Sequence, residues 1–546
     1  MITERPRRKS SRPACRGCWP IDSPTVSERL GFLSQAHVRQ TLLVASGVMG
    51  ALSFPTTDWS LFAWVWLIPT LLAGLARPPR AALADGWLAG TVFFLVLLHW
   101  LDYTFRFYSA IPWPLTWLPI LALSAYCGLY VGLMAWAVAR LSARVGLGWG
   151  LAAAPALWVA GEWLRGHLMG GFPWGLLGYS QHAALSAIQI AELGGVYAVS
   201  LLIVAVNTAL AGVLALGLRR ALPGAAVAGL LLLASLGFGW WILARESGPA
   251  VERAARVVDI AVIQPSIEQT LKWDPARHAE IMAVYERLTR EAARPQHGAR
   301  PAAVLWPETA TTIFLRGDAD LLARLTRLSA ELDTPLLVGS IDRLPGPRGQ
   351  YLNSAFLLTE QGITAKYDKI HLVPFGEYVP LSGLIGFVRS WAEFISDFGA
   401  GEARTIFRLP GAPFGTVICY EVIFPELFRD FVVAGAGFMS NITNDAWFGE
   451  TSGPWQHLGT LPLRAVEHRI AIARAANTGV SAFVSPTGRI TRLLPLFERG
   501  ILRAPLQLRS RATLYTRWGD WLAYVCLGLS ALGLGVPLFR RSGAGC

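Results

Sequence analysis

The sequence predicts a polytopic α-helical membrane bundle of about eight spans joined to one soluble α/β domain. Two observations support this. First, the 546 residues are 53% hydrophobic and only 15% charged, whereas about a quarter of the residues in soluble proteins are charged. Second, the shortage of charge is concentrated in residues 39–244, which are rich in Leu, Ala, Gly and Trp. Residues 251–515 have the composition of an ordinary soluble domain.

The formal net charge is +12, but we expect no nucleic-acid partner. The excess lies mainly in the N-terminal arm and in short loops between apolar segments, and the sequence contains no base-reading motif. We interpret the basic residues as determinants of membrane topology.

Eight apolar segments approach the roughly 20 helical residues that a membrane crossing requires. The first two are short, so that they could be partly re-entrant. We predict the spans at 39–55, 60–76, 85–103, 113–139, 148–164, 187–217, 221–244 and 519–539.

Basic segments then fall on one side of the membrane if the spans alternate. They are the arm at 5–16, loops at 76–80 and 139–144, Arg219 with Arg220, and Arg540 with Arg541. Because Lys and Arg collect on the cytoplasmic side, both termini should be cytoplasmic and the soluble domain extracytoplasmic. The predicted division is a basic arm (1–38), a seven-span bundle (39–244), a catalytic domain (245–515), and a last helix with a cytoplasmic tail (516–546).

Within the soluble domain, strands and helices alternate, which predicts helices packed on sheets. Apolar runs predict strands at 257–267, 302–309 and 335–340, a strand followed by a turn at 415–425, and a strand followed by a loop at 437–449. Helices are expected at about 275–294, 318–333 and 456–475. Hairpins are expected at 353–372 and around Pro486 to Gly488.

Three residues of this domain could together perform acyl transfer. Glu308 ends LWPE, Lys369 lies in KYDKIHL, and Cys419 ends TVIC as the only cysteine of the domain. Each alone has an ordinary interpretation as a solvated charge, a surface lysine or a buried thiol. As a set they provide a nucleophile, a base, and a cation that stabilises an oxyanion. Cys15 and Cys18 form a CxxC in the arm without nearby further ligands, so we expect no zinc site there.

The motifs WPE, DKIHLVPFGEYVP and CYE resemble the nitrilase superfamily. The flanking segments at 162–181, 271–275, 440–449 and 454–458 give a closer resemblance to the apolipoprotein N-acyltransferase family, from the first span to the last. The resemblance implies that the soluble domain is a nitrilase-like αββα sandwich.

By this resemblance, Glu308 is the general base, Cys419 the nucleophile and Lys369 the third member of a catalytic triad. Glu377 matches a second essential carboxylate, and Trp273, Tyr420 and Glu421 match further residues needed for activity. From the sequence alone, these four could instead be a loop charge, an interface anchor, a packing residue and a turn cap.

The implied reaction moves a fatty acyl chain from a phospholipid to the α-amino group of a lipoprotein's N-terminal diacylglyceryl-cysteine, through a thioester on Cys419. We expect no metal and no organic cofactor, a monomer, and a bacterial inner membrane location with the catalytic domain on the periplasmic face. Lys369 is expected to lower the pKa of Cys419. A membrane-anchored nitrilase or amidase, or a transporter or scaffold that has lost catalysis, remains the alternative.

Overall fold

The computed structural model describes residues 28–246, 256–344, 350–378 and 398–540. Most of the predicted basic arm, with Cys15 and Cys18, lies outside these residues, as does Arg541.

In the described residues of the N-terminal part, the regular secondary structure consists of helices joined by loops. Its helices are α1 (Ala36–Ala51), α2 (Ile68–Ala76), α3 (Pro79–Leu97), α4 (Leu101–Tyr108), α5 (Trp117–Val145), α6 (Leu147–Ala152), α7 (Ala154–His167), α8 (Leu185–Ile188), α9 (Ala191–Gly194), α10 (Val196–Leu216) and α11 (Leu218–Glu246).

Among the described residues, only four helices are long and apolar enough to cross a membrane, fewer than the eight spans predicted. They are α3, α5, α10 and α11. Part of the difference arises because continuous hydrophobicity does not require a continuous helix.

Two of the other predicted spans are broken by local backbone geometry, and the sixth, which contains α10, is shortened by it. The second is a 3₁₀ turn at Ser60–Trp64 followed by α2, and the fifth is divided at Ala153 into α6 and α7. In both, a proline stands in the first turn of the later helix, a position that favours a helix start. The sixth begins only at Val196, because Gly195 has a φ of 68° and ends the short turns before it.

Glycines let α3 and α5 pack with their backbones in close contact. A Cβ atom on Gly90 would lie 2.8 Å from the Cα of Gly128, and one on Gly86 would lie 2.9 Å from the carbonyl oxygen of Val131. Small residues at a helix interface are typical of membrane bundles.

The soluble part contains two six-stranded sheets. Its elements are β1 (Val257–Gln264), α12 (Gln269–Lys272), α13 (His278–Ala292), β2 (Ala303–Leu305), α14 (Ala319–Leu332), β3 (Leu336–Arg343), β4 (Tyr351–Thr359), β5 (Gly362–Asp368), β6 (Ile406–Leu409), β7 (Ala412–Ile418), α15 (Pro425–Val433), β8 (Phe438–Thr443), α16 (Gly453–Leu458), α17 (Leu461–His468), β9 (Ile472–Ala476), β10 (Ser481–Val484), β11 (Ile490–Leu494) and β12 (Gly500–Gln507). Two helices complete the described chain: α18 (Leu514–Trp518) and α19 (Trp521–Arg540).

The strand orders are β12-β1-β2-β3-β4-β5 and β11-β10-β9-β8-β7-β6. In each sheet the three inner strands β1-β2-β3 or β7-β8-β9 are parallel, and the outer pairs are antiparallel. Parallel central strands place the turns that follow them at one edge of the sheet.

Alternate residues of β1 pack in different hydrophobic clusters, as expected for a strand inside a layered domain. Ala261 and Ile263 pack with Tyr285 of α13 and Leu325 of α14. Val258, Ile260 and Val262 belong instead to the cluster that includes Phe414 and Phe438 of the second sheet. The nitrilase-like α/β architecture predicted from the sequence is therefore present.

The predicted helix at 456–475 is wrong in its second half. Helix α17 ends at His468, where Arg469 adopts a φ of 50°, and Ile472–Ala476 forms the buried strand β9 between β8 and β10. Because β9 is buried on both faces, its sequence lacks the polar alternation that identifies a strand.

Candidate active site

The residues of the predicted triad follow the ends of three strands and lie close together. Glu308 follows β2, Lys369 follows β5, and Cys419 begins the turn after β7. All three side chains are buried. The two sheets thus contribute to a single site, Glu308 and Lys369 from one and Cys419 from the other.

Glu308 is held by two donors on its two oxygens. The side-chain amide of Asn353 donates to Oε1 at 2.7 Å, and the backbone amide of Asn444 donates to Oε2 at 2.8 Å. Since β4 carries Asn353 and Asn444 follows β8, the carboxylate is fixed from both sheets.

Lys369 lies between two carboxylates. Its Nζ donates to Oε1 of Glu377 at 2.8 Å and lies 3.5 Å from Oε1 of Glu308. Asn353 also bonds Glu377, at 3.1 Å, and the backbone amide of Val373 donates to the other Glu377 oxygen at 2.8 Å. Glu377 therefore orients the lysine rather than standing as a loop charge.

Cys419 has a φ of 53°, in the left-handed region that non-glycine residues rarely adopt. This backbone state begins the tight turn Cys419–Ile423 after β7. The turn places Cys419 at the end of β7.

Electrostatics at the site favour a neutral thiol and a charged lysine. Burial raises the pKa of Cys419, and the negative charge of Glu308 raises it further, while Lys369 only partly offsets them. The expected lowering of the Cys419 pKa by Lys369 is thus outweighed. For Lys369, burial disfavours the ammonium, but Glu377 and Glu308 overcome that effect and raise its pKa.

Glu421 links the nucleophile turn to the segment that carries Lys369. It accepts hydrogen bonds from the backbone amide of Ile418 at 2.7 Å, those of Ile370 and His371 at 2.6 and 3.1 Å, and the Tyr367 hydroxyl at 2.7 Å. Burial raises the pKa of Glu421 to about 7, and these hydrogen bonds partly oppose the rise.

The two remaining predicted residues differ in their surroundings. Tyr420 is buried with its ring edge on Phe424, at 5.2 Å between centroids, and its hydroxyl has no hydrogen-bond partner among the described residues. Trp273 is 43% exposed, and Nζ of Lys272 lies 6.0 Å from its ring. No contact of Trp273 with the triad is observed in the described part of the chain.

The sequence interpretation missed two residues that hold Glu308. Asn353 bridges both carboxylates, as described above. Lys272, fully buried, donates to the carbonyl of Glu308 at 3.2 Å and to the hydroxyl of Thr309 at 2.8 Å. Burial lowers the pKa of Lys272 to about 8, against the opposing effect of Glu308. The LKWDP segment carries the sequence signal that is available for Lys272.

The helical part reaches the site through its loop at 168–172. A Cβ atom on Gly171 would lie 3.3 Å from the ring of Phe424, which stacks on His371 at 4.1 Å. A Cβ atom on Gly170 would lie 3.3 Å from the Tyr378 hydroxyl. The segments that follow Cys419 and Lys369 are thus close to a loop of the helical part.

One group of possible metal ligands occurs among the described residues, and it contains none of the triad. His167, Glu426 and Asp520 each place one ligand atom within 4.8 Å of the others.

Comparison with known proteins matches both parts of the chain. Residues 46–209 match the model of the apolipoprotein N-acyltransferase N-terminal domain, and residues 259–515 match that of carbon-nitrogen hydrolases. An apolipoprotein N-acyltransferase of Geobacter metallireducens is 37% identical over 92% of this chain and 95% of its own. The chain belongs to the apolipoprotein N-acyltransferase family. The apolipoprotein N-acyltransferase of Azotobacter vinelandii is 36% identical over 91% of this chain and 94% of its own. That of Agrobacterium fabrum is 35% identical over 93% of this chain and 98% of its own.

The apolipoprotein N-acyltransferase family is one of acyltransferases in lipoprotein maturation, and this member combines a nitrilase-superfamily domain with membrane helices. Membership favours the enzyme over the transporter or scaffold. Among solved structures, an amidase of Nesterenkonia sp. AN1 covers 49% of this chain and 99% of its own at 23% identity, with a TM-score of 0.35. Nit3 of Saccharomyces cerevisiae covers 46% and 90% at 20% identity, also with a TM-score of 0.35.

Proposed function

We propose that Cys419 takes a fatty acyl chain from a phospholipid and passes it to the α-amino group of a lipoprotein's N-terminal diacylglyceryl-cysteine. The observation that supports this most is the buried Glu308–Lys369–Glu377 cluster, whose charges act on the thiol of Cys419. Such a set can transfer a proton and stabilise an oxyanion without free water.

In the first half-reaction, Cys419 Sγ attacks the ester carbonyl while Glu308 accepts the thiol proton. The oxyanion is stabilised by the Lys369 ammonium and collapses, and the lysophospholipid leaves with a proton returned from Glu308. In the second half, the acceptor amine attacks the thioester, Glu308 takes its proton, and the thiol is restored. Separate half-reactions give ping-pong kinetics.

Mass spectrometry of Cys419 tests this order of events. With phospholipid alone, purified enzyme should release no more lysophospholipid than enzyme present and carry a hydroxylamine-labile acyl group on Cys419. The acceptor should then discharge it. Cys419→Ala should form no adduct, whereas Cys127→Ala, which alters a buried thiol of α5, should form one normally. Sustained lysophospholipid release without acceptor would instead support the amidase-like hydrolase.

The location belongs to the same proposal. We place the enzyme in the bacterial inner membrane as a monomer, with the domains divided at residues 38, 244 and 515 and eight crossings in total. In this proposal α1, α2, α7 and α19 complete the crossings, the short ones with local thinning of the bilayer. The basic loops named above support a periplasmic catalytic domain.

A reporter that is active only in the cytoplasm tests the orientation. Fused after residue 400 it should be silent, and fused after Gly217, between α10 and α11 and next to the basic pair Arg219 and Arg220, it should be active. Strong activity from the first fusion would contradict the proposed topology.

A further inference from the structure

Three charged or ionisable side chains lie fully buried behind the nucleophile turn, and the acyl-transfer steps above do not use them. They are Asp445, His457 and Arg474, from the turn after β8, from α16 and from β9. One oxygen of Asp445 lies 3.0 Å from Nδ1 of His457, and the other accepts a hydrogen bond from Arg474 at 2.6 Å. Arg474 also lies 3.1 Å from that Nδ1 and bonds Asn441.

This network makes one close contact with the nucleophile, through the other ring nitrogen of His457. Nε2 lies 3.1 Å from the carbonyl oxygen of Cys419. A carbonyl only accepts hydrogen bonds, so Nε2 carries a hydrogen and donates it whether or not Nδ1 is protonated. The second donor, the Asn441 side chain, is longer at 3.5 Å.

Cys419 requires such support because its left-handed backbone state costs on the order of 1–3 kcal/mol. The turn is tied on one side by Glu421 at the amide of Ile418. On the other side, His457 donates a hydrogen bond to the carbonyl of Cys419 itself. These two contacts hold the peptide group that follows Cys419 and the one that precedes Ile418.

We propose that His457, oriented by Asp445 and Arg474, is a positioning residue that holds the backbone of Cys419 so that its thiol faces Glu308 and Lys369. The inference rests on the proposed nucleophilic role of Cys419. It also accounts for a buried group of charges, which is costly unless every partner is in place.

Two similar substitutions separate positioning from general stability. In His457→Gln, the side-chain amide nitrogen reaches the place of Nε2 and can still donate to the Cys419 carbonyl. In His457→Asn, the shorter amide occupies the place of Nδ1 and keeps its contacts with Asp445 and Arg474, but cannot reach Cys419. Both variants are made in the full chain and compared by thermal unfolding in detergent.

The decisive measurement is the rate of acyl-adduct formation on Cys419 with phosphatidylethanolamine vesicles. His457→Gln should retain most of the wild-type rate. His457→Asn should lose about 100-fold in the maximal rate, the order expected when a reacting group moves by about 1 Å, with the half-saturating phospholipid concentration unchanged. Equal rates in the two variants at similar unfolding midpoints would overturn the inference. So would a change in His457→Asn that affects only the half-saturating phospholipid concentration.

If one variant does not fold, the other still tests the proposal. A folded His457→Gln protein that is 100-fold slower than wild type would contradict it, and so would a folded His457→Asn protein with the wild-type rate. Cys419→Ala is measured in parallel. Normal transfer in that variant would refute the nucleophile itself, whereas loss of transfer there with equal Gln and Asn rates would refute only the role of His457.

Discussion

At the scale of single residues, the main finding is that Cys419 is buried beside a carboxylate. Its thiol therefore keeps its proton in the absence of substrate. The pKa is raised by burial and by Glu308, and Lys369 offsets only part of this. In the proposed reaction, attack on the acyl carbon would therefore accompany proton transfer to Glu308 instead of following it. A neutral resting thiol also resists alkylation and oxidation, which proceed through the thiolate.

Alkylation of Cys419 by iodoacetamide should show this raised pKa. An ordinary thiol has a pKa of about 8.5, so its alkylation rate levels above that pH. For Cys419, the rate should still increase about tenfold per pH unit beyond pH 8.5, because the thiolate remains the minor form. The rate is followed by mass spectrometry of the peptide that contains Cys419.

Two variants provide controls for that profile. Glu308→Gln should move the pH profile of the alkylation rate to lower pH, and Lys369→Met should move it to higher pH, since the two charges have opposite effects on the pKa of the thiol. A wild-type profile that levels at or below pH 8 would show a lowered pKa and contradict the structural argument.

Lys369→Arg should be nearly inactive although the charge is kept. The ammonium fits between Glu377 and Glu308, and a planar guanidinium cannot occupy that fully buried position. Loss of an oxyanion donor costs on the order of 100-fold or more in rate. Lys366→Arg, on the same strand end but half-buried beside Asp342, should retain activity in the same acyl-transfer assay. Turnover near wild type in folded Lys369→Arg would remove Lys369 from the triad.

At the scale of secondary-structure elements, the site depends on turns rather than on the strands themselves. The turn after β7 and the segment after β5 are joined through the four hydrogen bonds of Glu421. Strand pairing does not link them, since β5 and β7 belong to different sheets. One buried carboxyl group thus ties the segment that carries Lys369 to the turn that carries Cys419.

Glu421→Gln should reduce the pH dependence of stability. The pKa of Glu421 in the folded protein is about 7, above the value of about 4.3 in an unfolded chain. The folded state thus binds the proton more tightly, and the stabilisation is present below pH 4.3 and lost as the pH rises through 7. Each pKa unit corresponds to about 1.4 kcal/mol.

Thermal unfolding between pH 5 and pH 8 measures this effect. The midpoint should decrease with pH more in the wild type than in Glu421→Gln, and the exposed control Glu291→Gln should follow the wild type. Parallel curves for all three proteins would show that Glu421 does not titrate in this range.

At the scale of the whole molecule, the catalytic domain is anchored to the helical part by buried polar contacts. Gln456 of α16 accepts hydrogen bonds from the indoles of Trp100 and Trp174 at 3.2 and 2.8 Å. It donates to the carbonyls of Pro55 and Leu97 at 3.2 and 3.1 Å. Its neighbour His457 reaches Cys419, so the same short helix contacts both the membrane helices and the nucleophile turn.

Gln456→Leu should destabilise the full-length enzyme strongly. The leucine has a similar volume but leaves two indole donors and two carbonyl groups without this partner, each at a cost of about 1–3 kcal/mol if it stays buried and unsatisfied. The unfolding midpoint in detergent should fall well below that of wild type, while Gln361→Leu in the exposed β4–β5 turn should have little effect. An unchanged midpoint for Gln456→Leu would show that water or rearrangement replaces these contacts.

The sequence by itself determined the division into an apolar helical part and an α/β part, because hydrophobic composition and strand–helix alternation are local properties. It also identified Glu308, Lys369 and Cys419 as a set, since they follow apolar segments and suit one chemistry. The structure brings these residues together, and the family matches confirm the acyltransferase.

Only the tertiary structure decided the rest, because those features depend on contacts between distant residues. The helix ends at Ala153 and Gly195 are set by backbone geometry inside continuous apolar segments. The extended conformation of β9 results from its place between β8 and β10. The roles of Asn353, Lys272 and His457 arise from hydrogen bonds to Glu308 and Cys419 across 36 to 45 residues of chain, a separation over which no local sequence pattern carries information.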